Sequence, residues 1–544
     1  MVVFNKKFSE IIVLIAVIYA CLFTGIGNVF DATLEHDLPY GYFASDAFWH
    51  ELYAESILYT GSFKTYAPYM EANIDNVVGS NPPILPHLAV VFKYVTGLEL
   101  YDAEMLLVFL IPIVASLVFF LLVRRISSLL AILSIPLVLL LFKGKFMITY
   151  TWGIWTYLIS TMFVIAFAWS FYNINLKKSY LLMGLFLAGT IMGYISNFIY
   201  AIGLIAFYFT MLFLFTGKLH ISKIKGVTKA VILSLIISVY YLYIFKFALS
   251  GTYVKVYTII KAAEFTGYRI PLITELGWVG LVALAGFLGY LFFTKRKLHI
   301  AYIFPIFMFI FSFANYIGFE KRALTIRFFW PIYLSVFFGL VFFLIIKTLN
   351  IKHQILIGTL ISLSFIAFIG FQDHNNFSGS IMDSYHWEAL NWIDKNIEKD
   401  KQILYFYSYA FDQTAVLIYG KIPPHTIRAD KILPFIQTGT IPRNVTVDVV
   451  VEGVARLPYQ KKPFSFGFHM TENRELFDGI RDICSYDYIL IDKVQREKTL
   501  QDYNLMVLRK LVEAGSEPVF NNVISVILRN KHKGGDCIGQ INEG

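Results

Sequence analysis

The chain has 544 residues and a formal net charge of +9; 57% of its residues are hydrophobic and 15% charged, with a mean hydropathy of +0.63. A soluble chain carries nearer a quarter charged residues, so the composition excludes an ordinary soluble protein, and recurring apolar runs of about 20 residues have the length that crosses a bilayer core. The positive charge is no sign of nucleic-acid binding, because much of it falls in short segments between those runs.

The first apolar run, Ile11 to Phe30, follows Lys6 and Lys7. It is long for a signal peptide and has no small-x-small cleavage site, so it reads as an uncleaved first span. A polar stretch over 31–103 comes next. Within it "SDAFWHELYAESILYTG", residues 45–61, has the spacing of a helix. Asp46 can cap its start and Gly61 its end. Trp49, Leu52, Tyr53, Ser56 and Ile57 fall on one side, so the helix can lie in the membrane interface, with Phe48, Trp49 and Tyr53 as anchors. Asp46 and His50 are one turn apart and can share a proton or a metal ion; a plain helix cap or surface pair is the other reading. "NPPILPHL", residues 81–88, brings His87 to the end of this stretch.

Ten further apolar runs follow, at about 104–123, 128–142, 150–172, 180–195, 198–216, 229–249, 275–293, 299–317, 328–346 and 354–371. With the N-terminus inside, fifteen Lys and Arg fall in the short inside segments, with Glu10 as the only acid, and ten in the much longer outside loops before residue 372. This is the positive-inside pattern. An odd number of spans then places everything after 372 outside, together with the first loop. The sequons at Asn376 and Asn444 fit that side.

Among the outside loops, 143–150 reads "KGKFMITY" and holds no acid, and Asn197 reads as a turn residue. The loop 250–274 carries Lys255, Lys261, Glu264, Tyr268 and Arg269 and runs into "LITE", which ends at Glu275. The stretch after 317 carries Glu320, Lys321, Arg322 and Arg327, the last directly before an apolar run. That places Arg327 at the membrane surface, where a guanidinium can hold a lipid phosphate by two prongs or snorkel to ordinary headgroups.

Residues 373–544 read as an α/β domain. "SYHWEALNWIDKNIEK" has helical spacing, and so do stretches near 473–482 and 498–514. "KQILYFYS", "DYILIDK" and "NNVISVILRN" are strand-like. Cys484 and Cys537 can pair if this portion is extracytoplasmic; Cys21 lies in a span.

The first loop resembles that of GT-C glycosyltransferases, especially archaeal oligosaccharyltransferase catalytic subunits. Asp46, Phe48, Trp49, His50, Ala54, Glu55, Ile57, Leu58 and Gly61 match that pattern, and 81–88 is similar to the Pro-rich segment at which such loops return to the membrane surface. "RFFWP" at 327–331 is similar to the entry of a late GT-C span, and "LITE" faintly resembles a Thr-Ile-x-Glu motif near the acceptor site. The resemblance implies a GT-C-like membrane domain over 1–372 with about eleven spans and a long first external loop, and an extracytoplasmic α/β domain over 373–544. It implies a sugar passed from a polyprenyl phosphate to a glycan, lipid or protein acceptor at the outer face of the plasma membrane. Asp46 would take the acceptor proton or orient the acceptor, supported by His50 and Glu51. Arg327, Arg322 and Lys321 would hold the leaving phosphate. Glu275 and His87 are candidates for acceptor or metal contact.

The chain departs from oligosaccharyltransferases at two motifs. The second external loop has no acidic pair, and no Trp-Trp-Asp-Tyr-Gly string follows residue 372. Both departures argue against transfer of an oligosaccharide to Asn. The first also leaves a divalent cofactor, Mg or Mn, with few oxygen ligands. The alternatives are an oligosaccharyltransferase-like enzyme with degenerate motifs, or a non-enzymatic transporter or scaffold for lipid-linked glycans. The near absence of charge within the spans weighs against transport.

Overall fold

The computed structural model describes residues 6–25, 33–61, 77–79, 82–174, 178–218, 220–243, 272–293, 298–317, 321–350, 353–370, 380–406, 418–422, 424–427, 429–447, 454–456, 479–495 and 498–538, with positions 27 and 176. Every expected apolar stretch contains helix. The first ten helices are α1 (Lys6–Gly25), α2 (Ser45–Thr60), α3 (Ile84–Thr96), α4 (Leu100–Arg124), α5 (Ser128–Ser134), α6 (Ile148–Thr151), α7 (Trp155–Phe171), α8 (Ser179–Gly193), α9 (Ile195–Thr216) and α10 (Ile221–Ile237). Helices Leu272–Phe293, Ile300–Phe311, Ser335–Thr348 and Gln354–Gly370 complete the apolar bundle. Three described helices are long and apolar enough to cross a membrane: Leu100–Arg124, Ile195–Thr216 and the combined Ala323–Thr348. In α4, Asp102 lies in the first turn and Arg124 in the last, each beside the helix end whose partial charge it complements.

Lipid tails are as apolar as leucine, so close van der Waals packing must hold such helices together. Two glycines show how close they come. A Cβ on Gly286 would lie 1.8 Å from the Phe337 carbonyl oxygen, and one on Gly339 would lie 2.3 Å from Ser134 Oγ. No side chain fits at either crossing.

The third apolar stretch departs from the expected straight span over 128–142. Helix α5 tightens into a 3-10 helix over Ile135–Phe142, with Pro136 in its first turn, and the chain then bends by 71° into the helical stretch Gly144–Thr151. Residues 144–149, expected as part of the loop 143–150, are therefore helical, and the bend falls at Lys143.

After residue 380 the chain builds a five-stranded sheet. Its strands are β2 (Ile403–Phe406), β3 (Pro424–Thr426), β7 (Tyr488–Asp492), β8 (Glu517–Asn521) and β9 (Ser525–Arg529), in the order β3-β2-β7-β9-β8. The first three in this order run parallel, and β9 is antiparallel to both β7 and β8. The expected helices near 384–399 and 498–514 are present as Ser384–Asn396 and Lys498–Glu513. Asp383 caps the former, its carboxylate accepting the N–H groups of Tyr385 and His386. The expected helix near 473–482 is corrected. Residues Gly479–Asp482 form strand β6, which pairs with β4 (Asn444–Val447), and 473–478 lie outside the described residues. Cys484 and Cys537 form a disulfide. Asn444 is exposed at the start of β4, whereas Asn376 lies outside the described residues.

The first loop and the C-terminal portion are joined. Strand β1 (Val77–Gly79) pairs antiparallel with β5 (Val454–Arg456). The Tyr42 carbonyl accepts the Ile381 N–H at 2.8 Å and the Ser380 hydroxyl at 3.0 Å. One apolar core runs from the membrane helices through Tyr42, Phe48 and Leu52 to Ile393, Ile403 and Leu490.

Candidate active site

Helix α2 begins at Ser45 and is preceded by Ala44, which makes no side-chain cap bond. Asp46 is therefore a first-turn residue and not the N-cap expected from the sequence. A carboxylate in the first turn still gains from the helix dipole. Gly61 ends the helix as expected, left-handed at φ 63 with its N–H on the Ile57 carbonyl. The helix does not lie in the interface with Phe48 as an anchor: Ala47, Phe48, Leu52 and Ala54 are at most 1% exposed, packed within the protein. Both expected faces are buried, since Glu51 and Ala54 on the expected polar side are 2% and 0% exposed, so α2 meets protein on each side and the amphipathic reading is corrected. Asp46 is exposed.

The start of α2 is seated on Gly153, in the turn before α7. Gly153 has φ +70, and a Cβ there would fall 2.6 Å from the Ala47 nitrogen and 2.8 Å from Asp46 Cβ. Only glycine allows both the left-handed backbone and this approach. One turn along α2, His50 Nε2 donates to the Gly153 carbonyl at 2.8 Å, and its ring stacks on Trp155 with centroids 5.5 Å apart. Burial pushes the His50 pKa down to about 4, against the favourable bond to Gly153. The imidazole is thus neutral near pH 7, and the carbonyl fixes its proton on Nε2. Asp46 and His50 meet at one backbone position.

Glu51 points elsewhere. Five residues of helix place it roughly 140° around the axis from Asp46. It is 2% exposed and accepts the Tyr419 hydroxyl at 2.6 Å. Burial raises its pKa to about 8, outweighing the bonds from Tyr419 and Tyr42 that lower it. Tyr42 also donates to Glu104 at 3.4 Å. Glu51 therefore ties α2 to the C-terminal portion.

Arg327 is 1% exposed and does not stand free at a surface. Nε donates to the Ser312 carbonyl at 3.1 Å, Nη2 to Asn315 Oδ1 at 2.6 Å, and Nη1 to the Tyr316 hydroxyl at 3.3 Å. The guanidinium also lies over the Phe313 and Tyr316 rings. These bonds use three of its five N–H groups. Lys321 and Arg322 begin the same 3-10 segment, Lys321–Phe329, and Glu275 lies in the first turn of Leu272–Phe293; the side chains of all three lie outside the described residues. His87 Nδ1 donates to the Pro83 carbonyl at 2.6 Å, within α3's own first turn.

The first turn of α7 links the two halves of the site. Gly153, just before it, touches Asp46. Tyr157, within it, packs against Phe329 at 5.8 Å, two residues beyond Arg327. Sequence reading missed Gly153, Trp155 and Tyr419. A glycine between aromatics in "YTWGIW" was the available signal for the first two; Tyr419 had none. It also passed over Lys143, whose enclosed Nζ makes no hydrogen bond. Among the described residues no three His, Cys, Asp or Glu side chains converge as metal ligands. With His50 Nε2 committed to a carbonyl, the described groups around Asp46 do not fit a divalent ion.

No protein-family model matches the chain, and no curated protein matches its sequence. Solved structures do match in fold. The oligosaccharyltransferase of Archaeoglobus fulgidus, in complex with Zn and sulfate, aligns at TM-score 0.51 and 13% identity, over 76% of this chain and 62% of that one. The same protein with an inhibitory peptide and a dolichol-phosphate aligns at 0.50 and 13%, over 77% and 64%. This chain thus spans a little under two thirds of the archaeal enzyme's length. ArnT from Cupriavidus metallidurans, bound to undecaprenyl phosphate, aligns at 0.54 and 10% identity, over 96% of this chain and 99% of that one.

Proposed function

We propose that this chain, a membrane protein with the GT-C glycosyltransferase fold, transfers a sugar from a polyprenyl-phosphate donor to an acceptor outside the membrane. The observation that carries the reading is the seating of an exposed carboxylate, Asp46, against Gly153 at the start of α7, with the Arg327 segment packed on the same turn. Asp46 takes the acceptor's proton as the acceptor oxygen or nitrogen bonds to the sugar's anomeric carbon. The bond from that carbon to the phosphate oxygen breaks, and the polyprenyl phosphate leaves with the electron pair. Its growing charge is met by Arg327, together with Arg322 and Lys321. His50 holds α2 to Gly153 and is not itself an acid near pH 7. Glu51 fixes α2 to the C-terminal portion, which presents the acceptor.

The reading includes eleven crossings, a membrane domain over 1–372, an external domain over 373–544, and an inside N-terminus. The disulfide between Cys484 and Cys537 supports an oxidising compartment for the C-terminal portion. The similar structures with undecaprenyl phosphate and dolichol-phosphate support the donor class. The test is transfer from labelled polyprenyl-phosphate sugars in membranes. Asp46→Asn should lower turnover at least 100-fold, about the contribution of a general base, without loss of the folded protein. Equal turnover by the two proteins would remove Asp46 from the reaction.

A further inference from the structure

The β4–β6 ribbon has one buried face and one open face. Val445 and Val447 are 3% and 1% exposed and pack with Cys484 and Leu528 in the core of the C-terminal portion. Strand residues alternate between faces, so Asn444 and Thr446 share the other side, where Asn444 is exposed and Thr446 half-buried. Asn444-Val445-Thr446 is an N-x-T sequon with no proline at its centre, the pattern that accepts an N-linked glycan. The register sets Asn444 opposite Asp482 and Thr446 opposite Ile480. Asp482 is engaged elsewhere, accepting from Arg443 Nε at 3.0 Å and from the Cys484 N–H at 2.8 Å. No described residue hydrogen-bonds the Asn444 carboxamide, so its Nδ2 stands open to solvent.

Ile480 supplies an independent observation. It is 71% exposed on the same face of the ribbon, diagonal to Asn444. Such diagonal neighbours lie about 7–8 Å apart, within reach of an aromatic side chain. An asparagine carrying a sugar ring is longer than that, and the C–H face of the ring can cover the isoleucine. The order of synthesis also favours the reaction: the strand that pairs with β4 begins only at Gly479, so the sequon emerges before it can pair. We propose that Asn444 is a modification site of this chain, glycosylated at Nδ2 by a separate N-glycosyltransferase from a polyprenyl-phosphate-linked glycan. A bond forms between Nδ2 and the anomeric carbon of the first sugar. The bond from that carbon to the phosphate oxygen breaks, the lipid phosphate leaves with the electron pair, and one Nδ2 proton passes to the transferase's base. The transferase is a separate one because this chain has no Trp-Trp-Asp-Tyr-Gly string with which to read a sequon. The inference rests on the proposed external placement of the C-terminal portion.

Mass spectrometry of the full chain, purified from its native membranes, tests it. The tryptic peptide 444–456, bounded by Arg443 and Arg456, should be heavier by a whole number of sugar residues, with the added mass on Asn444. Asn444→Gln and Thr446→Ala should each abolish the added mass, and Thr446→Ser should keep it. The glycan-free Asn444→Gln protein should melt about 2–4 °C below wild type, and Ile480→Thr should remove the difference between glycosylated and glycan-free protein. Equal melting of Asn444→Gln and wild type overturns the cover over Ile480. Added mass that survives Asn444→Gln overturns the assignment to Asn444 and moves the sugar to Thr446. An unmodified peptide overturns the inference outright, and labelling of Asn444→Cys by a membrane-impermeant maleimide then separates its two causes. Labelling on intact cells would leave the external placement and the transferase reading standing without the glycan. Labelling only after permeabilisation would remove the external placement, and this inference with it.

Discussion

At the scale of single residues, the site depends on a position with no side chain. Gly153 combines a left-handed backbone with contacts to the Asp46–Ala47 backbone that no Cβ could share. Gly153→Ala must push α2 away or rebuild the turn before α7. Strain of this kind costs about 1–3 kcal/mol. Displacing a reacting group by about 1 Å can cost roughly 100-fold in rate. The variant should therefore fold with a lowered melting temperature and lose most of its transfer activity. A Gly153→Ala protein with full turnover would show that Asp46 does not need this seat. Asp46 and His50 were legible in the sequence because helical spacing alone places them one turn apart. Gly153 lies more than 100 residues away, and a lone glycine in a loop has many uses.

At the scale of elements, α2 is held by different partners on different faces. His50 bonds to the membrane bundle, while Glu51 bonds to Tyr419 of the C-terminal portion. Burial holds the Glu51 pKa at about 8 against an ordinary 4.5, so the folded state binds this proton more readily than the unfolded state. Its stabilising contribution is fully present below about pH 4.5 and is lost as pH rises through about 8. Glu51→Gln mimics the protonated form and should remove this slope. Melting temperature measured from pH 4.5 to 8 should fall more steeply for wild type than for the variant; parallel curves would show that Glu51 ionisation is not coupled to folding. Most helices and strands were legible because apolar runs and alternation survive any tertiary arrangement. The exceptions have physical causes. The third stretch tightens and bends at Lys143, and a hydropathy pattern does not encode a bend. Residues 479–482 extend because β4 offers a strand edge to pair with, a partner more than 30 residues away.

At the scale of the whole molecule, the bundle and the sheet share one apolar core, and the strand pair β1–β5 ties the first loop to the C-terminal portion. Whatever side of the membrane the sheet occupies, the start of α2 must occupy as well. That connection turns the site's orientation into a question about the sheet. The proposed reading, resting on the charge pattern and the disulfide, puts the sheet outside. Two single cysteines test this directly, in a background with Cys484 and Cys537 changed to Ser and Cys21 left buried. Asn444→Cys lies on exposed β4, and Lys218→Cys is exposed beyond the end of α9. A membrane-impermeant maleimide added to intact cells should label position 444 at once and position 218 only after permeabilisation. The reverse pattern would put Asp46 on the inner face and remove the external acceptor from the mechanism. The background itself carries a prediction. Opening a crosslink between residues 53 apart costs about 4 kcal/mol in the chain-entropy account. The cysteine-free sheet should therefore melt earlier than wild type, and labelling should be done well below that lowered transition, so that exposure of position 444 reports its side of the membrane and not unfolding.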